Sequence, residues 1–380
     1  MKTLPCRARM PRTAVALTRC TILLAAMALG ACATRLGPKT IPAARFDYNE
    51  RIARSQNEQL LLNLVRLRYR DTPVFLDVGT VIAQYTLDAR VDLLPSLNVE
   101  ETGGAGLGAD LGGAYSEQPT ITYEPISGAE FTRRLLTPIP PQTIILLSQS
   151  GWSIERLLMC CVEAINGVSN APVASGPTPD RIPDNSQFRG VAERLRELQL
   201  SGSLDFMMAQ EQDEDAPTAL LRIAKPDGGD PRADLLRSIR ETLRLDAEVE
   251  TFHLAPRRPQ RGKDEIVMTG RSVLGALFFL SHNVDPPDSH KSRGWVTVAK
   301  GLDGEDGSWR TVSGDLLRIA AEESEPSGAF VRIRYRGHWF YIDDSDLNSK
   351  ATFNLLTYLL SLQSAGQEGI NALLTVPVGK

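Results

Sequence analysis

Two periods divide the first part of the chain. Leu60, Leu61, Leu64, Val65 and Leu67 recur at helical spacing, with Arg66 and Arg70 on the opposite side. That spacing predicts a helix over 47–69, stopped by Asp71-Thr72-Pro73. Arg68 falls on the apolar side. It is either a buried cation for an anionic partner or a stem on apolar surface with its head at water, Asp71 or Asp77. From residue 81 the period changes to two. Val81, Ala83, Tyr85, Leu87, Ala89, Val91 and Leu93 alternate with Ile82, Gln84, Thr86, Asp88, Arg90 and Asp92. Alternation resumes with Leu107, Ala109, Leu111 and Tyr115, and the stretch ends at Ile121-Thr122-Tyr123. Residues 79–125 therefore read as a hairpin with strands about twice the usual length of 5–6 residues. One reading packs its apolar side on a soluble domain. The other inserts it in the outer membrane once several protomers assemble, since alternating strands of about 10 residues are what a membrane barrel uses. The glycines over 103–113 are no phosphate loop, because no Gly-Lys-Ser/Thr and no helix start follow them.

Further along, Ser127 and Glu130 match a capping box for a helix to about 136. A short buried run, 144–147, precedes a helix that Ser150 or Ser153 caps and Asn166-Gly167 ends. Residues 171–187, with four prolines, predict a linker between an N-terminal domain, 45–170, and a C-terminal domain, 188–364. Helices are predicted over 188–200, 231–246, 271–280 and 347–363. Strands are predicted over 204–209, 219–224, 249–254, 265–268, 295–298, 309–312, 316–321, 329–335 and 338–342. Arg336-Gly337 is a tight turn, and 365–380 is a tail. The fold class is α+β: two domains of mixed and antiparallel sheets packed on amphipathic helices.

The amino-terminal residues carry Lys2, Arg7, Arg9, Arg12 and Arg19 and no acid, followed by a short apolar run from Ile22 to Leu29. This is the layout of a signal peptide, and the run is too short for a bilayer span of about 20 residues. Leu29-Gly30-Ala31-Cys32 resembles the lipobox of bacterial lipoproteins. The resemblance implies cleavage before Cys32, so that residues 1–31 are a signal peptide and 32–44 a tether. It also implies diacylglycerol on the Cys32 sulfur, and Ala33 in place of aspartate permits sorting to the outer membrane, facing the periplasm. Met10 is an alternative start. Some lipoproteins, such as the curli secretion channel, build oligomeric barrels from hairpins, and residues 79–125 invite that analogy. The stretch from Asn57 to Asp71, NEQLLLNLVRLRYRD, is similar to a family of proteobacterial outer-membrane lipoproteins to which no activity attaches.

Without the leader, 349 residues remain, with 37 basic against 46 acidic residues and a net charge of −9. That balance argues against a nucleic-acid partner, which needs a concentrated basic face. Apart from Cys32, the mature chain has only Cys160 and Cys161, neighbours inside an apolar helix. They predict buried thiols and no structural disulfide.

Candidate chemistry is sparse. The chain holds no His-Glu-x-x-His, Gly-x-Ser-x-Gly or Walker loop, so no catalytic residue, metal or cofactor is assigned. His282, Asp285, Asp288 and His290 lie close in sequence but fit no metal signature. Asp213, Glu214 and Asp215 read as a solvated turn. Arg332, Arg334 and Arg336 share one strand face and are the candidate binding surface for an acidic partner, or else a charged edge guard. The expected function is a non-catalytic, lipid-anchored scaffold, assembly or binding factor of the cell envelope. Its partners are the membrane, through Cys32, and other envelope proteins, with a homo-oligomer as an option. Two alternatives stand beside it: an oligomeric outer-membrane conduit built by the 79–125 hairpin, and an envelope hydrolase whose site forms only in three dimensions.

Overall fold

The computed structural model describes residues 41–96, 106–125, 129–177, 179–209, 218–226, 229–256, 261–364 and 374–377. The leader with Cys32, Ser127 of the capping box and the acidic turn at 213–215 lie outside the described residues. Two compact units divide the chain, residues 1–56 and Asn57–Lys380. The described part of the first is the leading portion of a 28-residue helix, α1 (Ile41–Arg68).

The second unit is α+β. After α1 come β1 (Leu76–Ser96) and β2 (Gly106–Pro125), then the helices α2 (Ala129–Leu136), α3 (Pro141–Gln149) and α4 (Ile154–Cys161). The strands β3 (Val162–Ile165) and β4 (Val168–Ser169) precede α5 (Ser186–Leu200). Next follow β5 (Asp205–Ala209), β6 (Thr218–Arg222), α6 (Ala233–Thr242), β7 (Thr251–Ala255), β8 (Glu265–Gly270) and α7 (Val273–Ser281). Two short helices, α8 (Asp288–Ser292) and α9 (Arg310–Ser313), lead to β9 (Ala320–Glu322), β10 (Ala329–Tyr335) and β11 (His338–Asp343). The chain then forms α10 (Leu347–Ser364) and β12 (Leu374–Pro377).

A six-stranded sheet runs in the order β4-β3-β8-β7-β6-β5, with β7 and β8 parallel and the other pairs antiparallel. Helices α4, α5 and α7 carry its apolar cover: Leu157 and Leu158, Val191 and Leu195, and Leu277 and Phe279 are all buried. A second sheet has the order β10-β11-β9, and a third β1-β2-β12. The apolar stripe of α1 is buried as its spacing demands, from Leu60 to Leu67.

The expected linker at 171–187 does not separate two cores. One hydrophobic cluster runs from Leu60 to Leu359 and includes Ala171, Ala174 and Ile182. Strand β3, before those residues, pairs with β8, after them. The prolines serve a buried 3₁₀ turn, Pro172–Ser175, and Asn185 donates to the Asn170 side chain at 3.0 Å across the segment. Asn166-Gly167 does not cap a helix. Helix α4 stops at Cys161, and both turn residues are left-handed (φ 48° and 84°) in the tight hairpin joining β3 to β4. Residues 295–298 form no strand, because side chains claim that backbone: Arg68 donates to the Thr297 carbonyl at 2.9 Å. Residues 309–312 belong to the short helix α9 and its lead-in, and residues 144–147 sit inside α3.

Candidate functional site

The long hairpin is the feature without a counterpart elsewhere in the fold. Strands β1 and β2 are 21 and 20 residues long and pair antiparallel from Leu76↔Pro125 to Ser96↔Gly106, with one irregularity between Val78 and Thr80. Opposite residues of an antiparallel ladder share a face, so the register tests whether the two alternations are in phase. They are. Leu87 stands opposite Tyr115, Val91 opposite Leu111, and Leu93 opposite Ala109, while Gln84 meets Gln118, Thr86 meets Ser116 and Arg90 meets Gly112. Glu117, opposite Tyr85, is the one charge in the apolar phase. Among the described residues, the hairpin's main neighbour besides itself is β12, which pairs with Thr120–Tyr123 near its base.

Its base is fastened to α1. Asn63 grips both backbone groups of Val74: its Nδ2 donates to the carbonyl at 2.7 Å and its Oδ1 accepts from the N–H at 2.9 Å. One turn earlier, Gln59 brackets Leu76 in the same manner, at 2.9 and 3.0 Å with its amide oriented to match. Two amides spaced i, i+4 on a helix thus imitate a partner strand for two alternate residues of an extended segment. Phe75 packs edge-on against Phe131 of α2, with centroids 5.6 Å apart.

Just before that segment, Asp71 accepts hydrogen bonds from the Tyr335 hydroxyl and, at 2.8 Å, from the Arg336 guanidinium. Arg336 lies over the rings of Tyr69 and Trp295 at 5.0 and 5.3 Å. It sits left-handed (φ 47°) in the β10–β11 turn that its sequence predicts. Burial pushes the Tyr69 phenol up and, with help from His338, Arg293 and Arg336, holds the His290 imidazole down. The neutral ring accepts from the Tyr69 hydroxyl, 2.6 Å from Nδ1. His338 stands edge-on to His290 at 4.7 Å. The cluster therefore clamps the exit of α1 to the β10–β11 hairpin, immediately upstream of β1.

The candidate binding arginines are not three equivalent cations. Arg336 belongs to this clamp. Arg332 pairs with Glu325 at 2.7 Å. Arg334 is exposed, at a position opposite Trp339. The His282–His290 group is dispersed: His282 stacks on Trp309 at 4.4 Å, His290 faces Tyr69, and Asp285 and Asp288 both pair with Lys291, at 3.4 and 3.1 Å. Among the described residues no three His, Cys, Asp or Glu side chains are placed to hold a metal. Cys160 and Cys161 are buried free thiols. Arg68 is buried, and its guanidinium donates to the Thr297 carbonyl.

Two arrangements were invisible in the sequence. Arg271 is wholly buried and donates to the carbonyls of Met159 (3.1 Å), Val162 (2.7 Å) and Asn170, and to the Ser175 hydroxyl (3.0 Å), with its plane 4.0 Å from the Phe279 ring. Desolvation lowers its pKa to about 10, so it stays charged, stabilised by the carbonyl end of α4. The second is a polar cleft of about 540 Å³ at the start of α4, lined by Arg156, Arg189, Glu193, Asp315 and Asn348. Its cations are engaged locally. Arg156 donates to the Asn348 carbonyl at 2.9 Å and Arg189 to the Thr311 carbonyl at 2.7 Å.

Comparison with protein-family models, with curated proteins and with solved structures gives no match. The functional reading therefore rests on the hairpin and its base.

Proposed function

We propose that this is a non-catalytic, lipid-anchored protein of the outer membrane, facing the periplasm, whose working part is the hairpin β1–β2. Several protomers join their hairpins edge to edge into a β-barrel that crosses the bilayer as a conduit. The observation that carries the reading is the in-phase register of two strands of about 20 residues. From Leu87 to Pro95 the apolar phase spans nine residues, about 27 Å along the strand at ~3.4 Å per residue, at the lower end of the roughly 9–11 residues that a tilted membrane strand uses. Tyr85 and Tyr115 stand toward its lower end, where barrels carry aromatic girdles. A lone two-stranded ribbon is marginal in water and its free edges invite pairing, and a ring of copies removes both problems. The clamp around Asp71 and Asn63 gives every protomer the same launch direction for its strands.

A lipid on Cys32 would hold the protomers in the plane where such a ring must form, and acyl chains contribute about 0.8 kcal/mol per buried methylene. No described helix is long and apolar enough to cross a membrane, so in this reading the hairpin alone does so.

Extraction of the native protein in mild detergent, followed by electron microscopy and mass measurement, tests the reading. Rings are expected. A variant with residues 81–121 replaced by a short turn should give folded monomers. Monomers of the full chain at every concentration, or rings that survive the replacement, overturn it. A Cys32→Ser variant is expected to lose membrane attachment and remain uncleaved. Unchanged processing removes the anchor from the proposal.

A further inference from the structure

The polar phase of the hairpin carries charge at two levels, its base and its mid-height. Reading upward, its rungs are Asp77↔Glu124, then, past the irregularity, Thr80↔Thr122, Ile82↔Thr120, Gln84↔Gln118, Thr86↔Ser116, Asp88↔Ala114, Arg90↔Gly112 and Asp92↔Asp110, followed by Leu94↔Gly108 and Ser96↔Gly106. At mid-height the charged positions are three carboxylates, Asp88, Asp92 and Asp110, against one cation, Arg90. They occupy the same height as the apolar rungs from Leu87 to Leu93, the middle of the proposed span. Between the two charged levels the rungs from Thr80 to Thr86 are uncharged, and above the upper one stand Leu94, Ser96 and two glycines.

Asp92 directly opposite Asp110 is an unfavourable arrangement for a ribbon, since like charges facing across a ladder destabilise it. Arg90 is the single neighbouring compensation. In a closed ring the same rung lines a water-filled lumen, where rings of Asp or Glu select cations and low-dielectric walls focus their field.

We infer that the conduit passes cations in preference to anions, and that Asp92 and Asp110 set this preference. The inference rests on the conduit reading above. Each protomer brings a net charge of −2 at mid-height, and a ring multiplies it around one constriction. Anionic solutes meet a potential of several kT there, while potassium or a small cationic solute is drawn in.

The test uses the full lipidated protein in planar phosphatidylethanolamine–phosphatidylglycerol bilayers, with a potassium chloride gradient near 0.1 M, where screening acts over about 10 Å. The wild type is expected to favour potassium over chloride by roughly threefold or more, as a few kT of potential implies. The Asp92→Asn/Asp110→Asn variant should bring the ratio close to one, and Arg90→Gln should raise it. Conductance without cation preference, or a ratio untouched by the double variant, overturns the inference and leaves the conduit standing. Ring-forming protein that never conducts overturns both. Should the double variant fail to form rings, Arg90→Gln decides: a rise in the ratio supports the inference, and a fall or no change overturns it.

Discussion

Asn63 holds Val74 by both backbone groups, and with this one amide a helix takes the place of a β-strand. The two hydrogen bonds, at 2.7 and 2.9 Å, join a buried side chain, Asn63 at 1% exposed, to an exposed residue, Val74 at 45%. An Asn63→Ala variant leaves the Val74 carbonyl and N–H to water. Each lost hydrogen bond costs about 0.5–1.5 kcal/mol. Loss of roughly that much stability is expected by urea denaturation, with amide exchange at Val74 rising more than at Leu61. Asn63→Leu should do no better, because the groups left to water belong to Val74.

Arg271 makes a sharper case. Its guanidinium satisfies carbonyls from the end of α4 to residue 170, and among the described residues no carboxylate forms an ion pair with it. Arg271→Met removes the charge and its donors together, leaving the Asn170 carbonyl without this donor and the Met159 and Val162 carbonyls with Asn170 Nδ2 alone. A buried group left without its partner costs about 1–3 kcal/mol, so the variant is expected to lose at least that much stability. Arg271→Lys keeps the charge but cannot reproduce the planar fork, and should recover only part of the stability. Thermal unfolding of the two variants beside the wild type checks both statements.

The hairpin and α1 were legible because their periods, two and about 3.6, are local properties that packing did not override. The Arg336-Gly337 turn was legible for the same reason. Arg271 was not, since its partners lie 96 to 112 positions earlier in the chain, and no spacing rule reports on such a distance. Asn63 was masked by its setting, a single polar residue inside an apolar stripe. Residues 171–187 misled through composition: prolines mark a turn equally well whether the turn is a linker or, as here, part of a core. The three arginines share a period along the strand, but only the fold reveals that Asp71 takes one and Glu325 another.

His282 gives the protein a pH dependence of definite sign. Burial, first, and the nearby Arg68 and Arg271 lower its pKa from 6.5 to about 4. The unfolded chain binds the proton more readily than the folded one. This contribution to stability is therefore complete above about pH 6.5 and is lost as pH falls toward 4. The shift corresponds to about 3 kcal/mol at 1.36 kcal/mol per unit. His290, also held down, acts in the same direction. Urea midpoints are expected to fall between pH 6.5 and 4, and less steeply in a His282→Gln variant. Equal slopes in the two proteins would contradict the assignment.

Gly270 ends β8 where the Ile139 carbonyl comes against it. A β-carbon built there meets that oxygen well inside contact distance, and the adjoining backbone is tied down by the Ile139 N–H donating to the Arg271 carbonyl at 2.8 Å. Neither strand nor segment can retreat without breaking that bond. Gly270→Ala is expected to destabilise by about 1–3 kcal/mol, in the range of overpacked cores, and differential scanning calorimetry of this single variant is a sufficient check.

Leu76 and Pro125, the first rung of the long ladder, bring the two ends of fifty residues within one strand spacing of each other, about 5 Å. A protein arranged in this way is in effect two inventions joined by a pair of adjacent threads. Insertions and deletions above the Thr120–Tyr123 stretch that pairs with β12 can lengthen or shorten the hairpin and leave that base in register. The length and chemistry of the two strands are then free to drift while their ends stay adjacent.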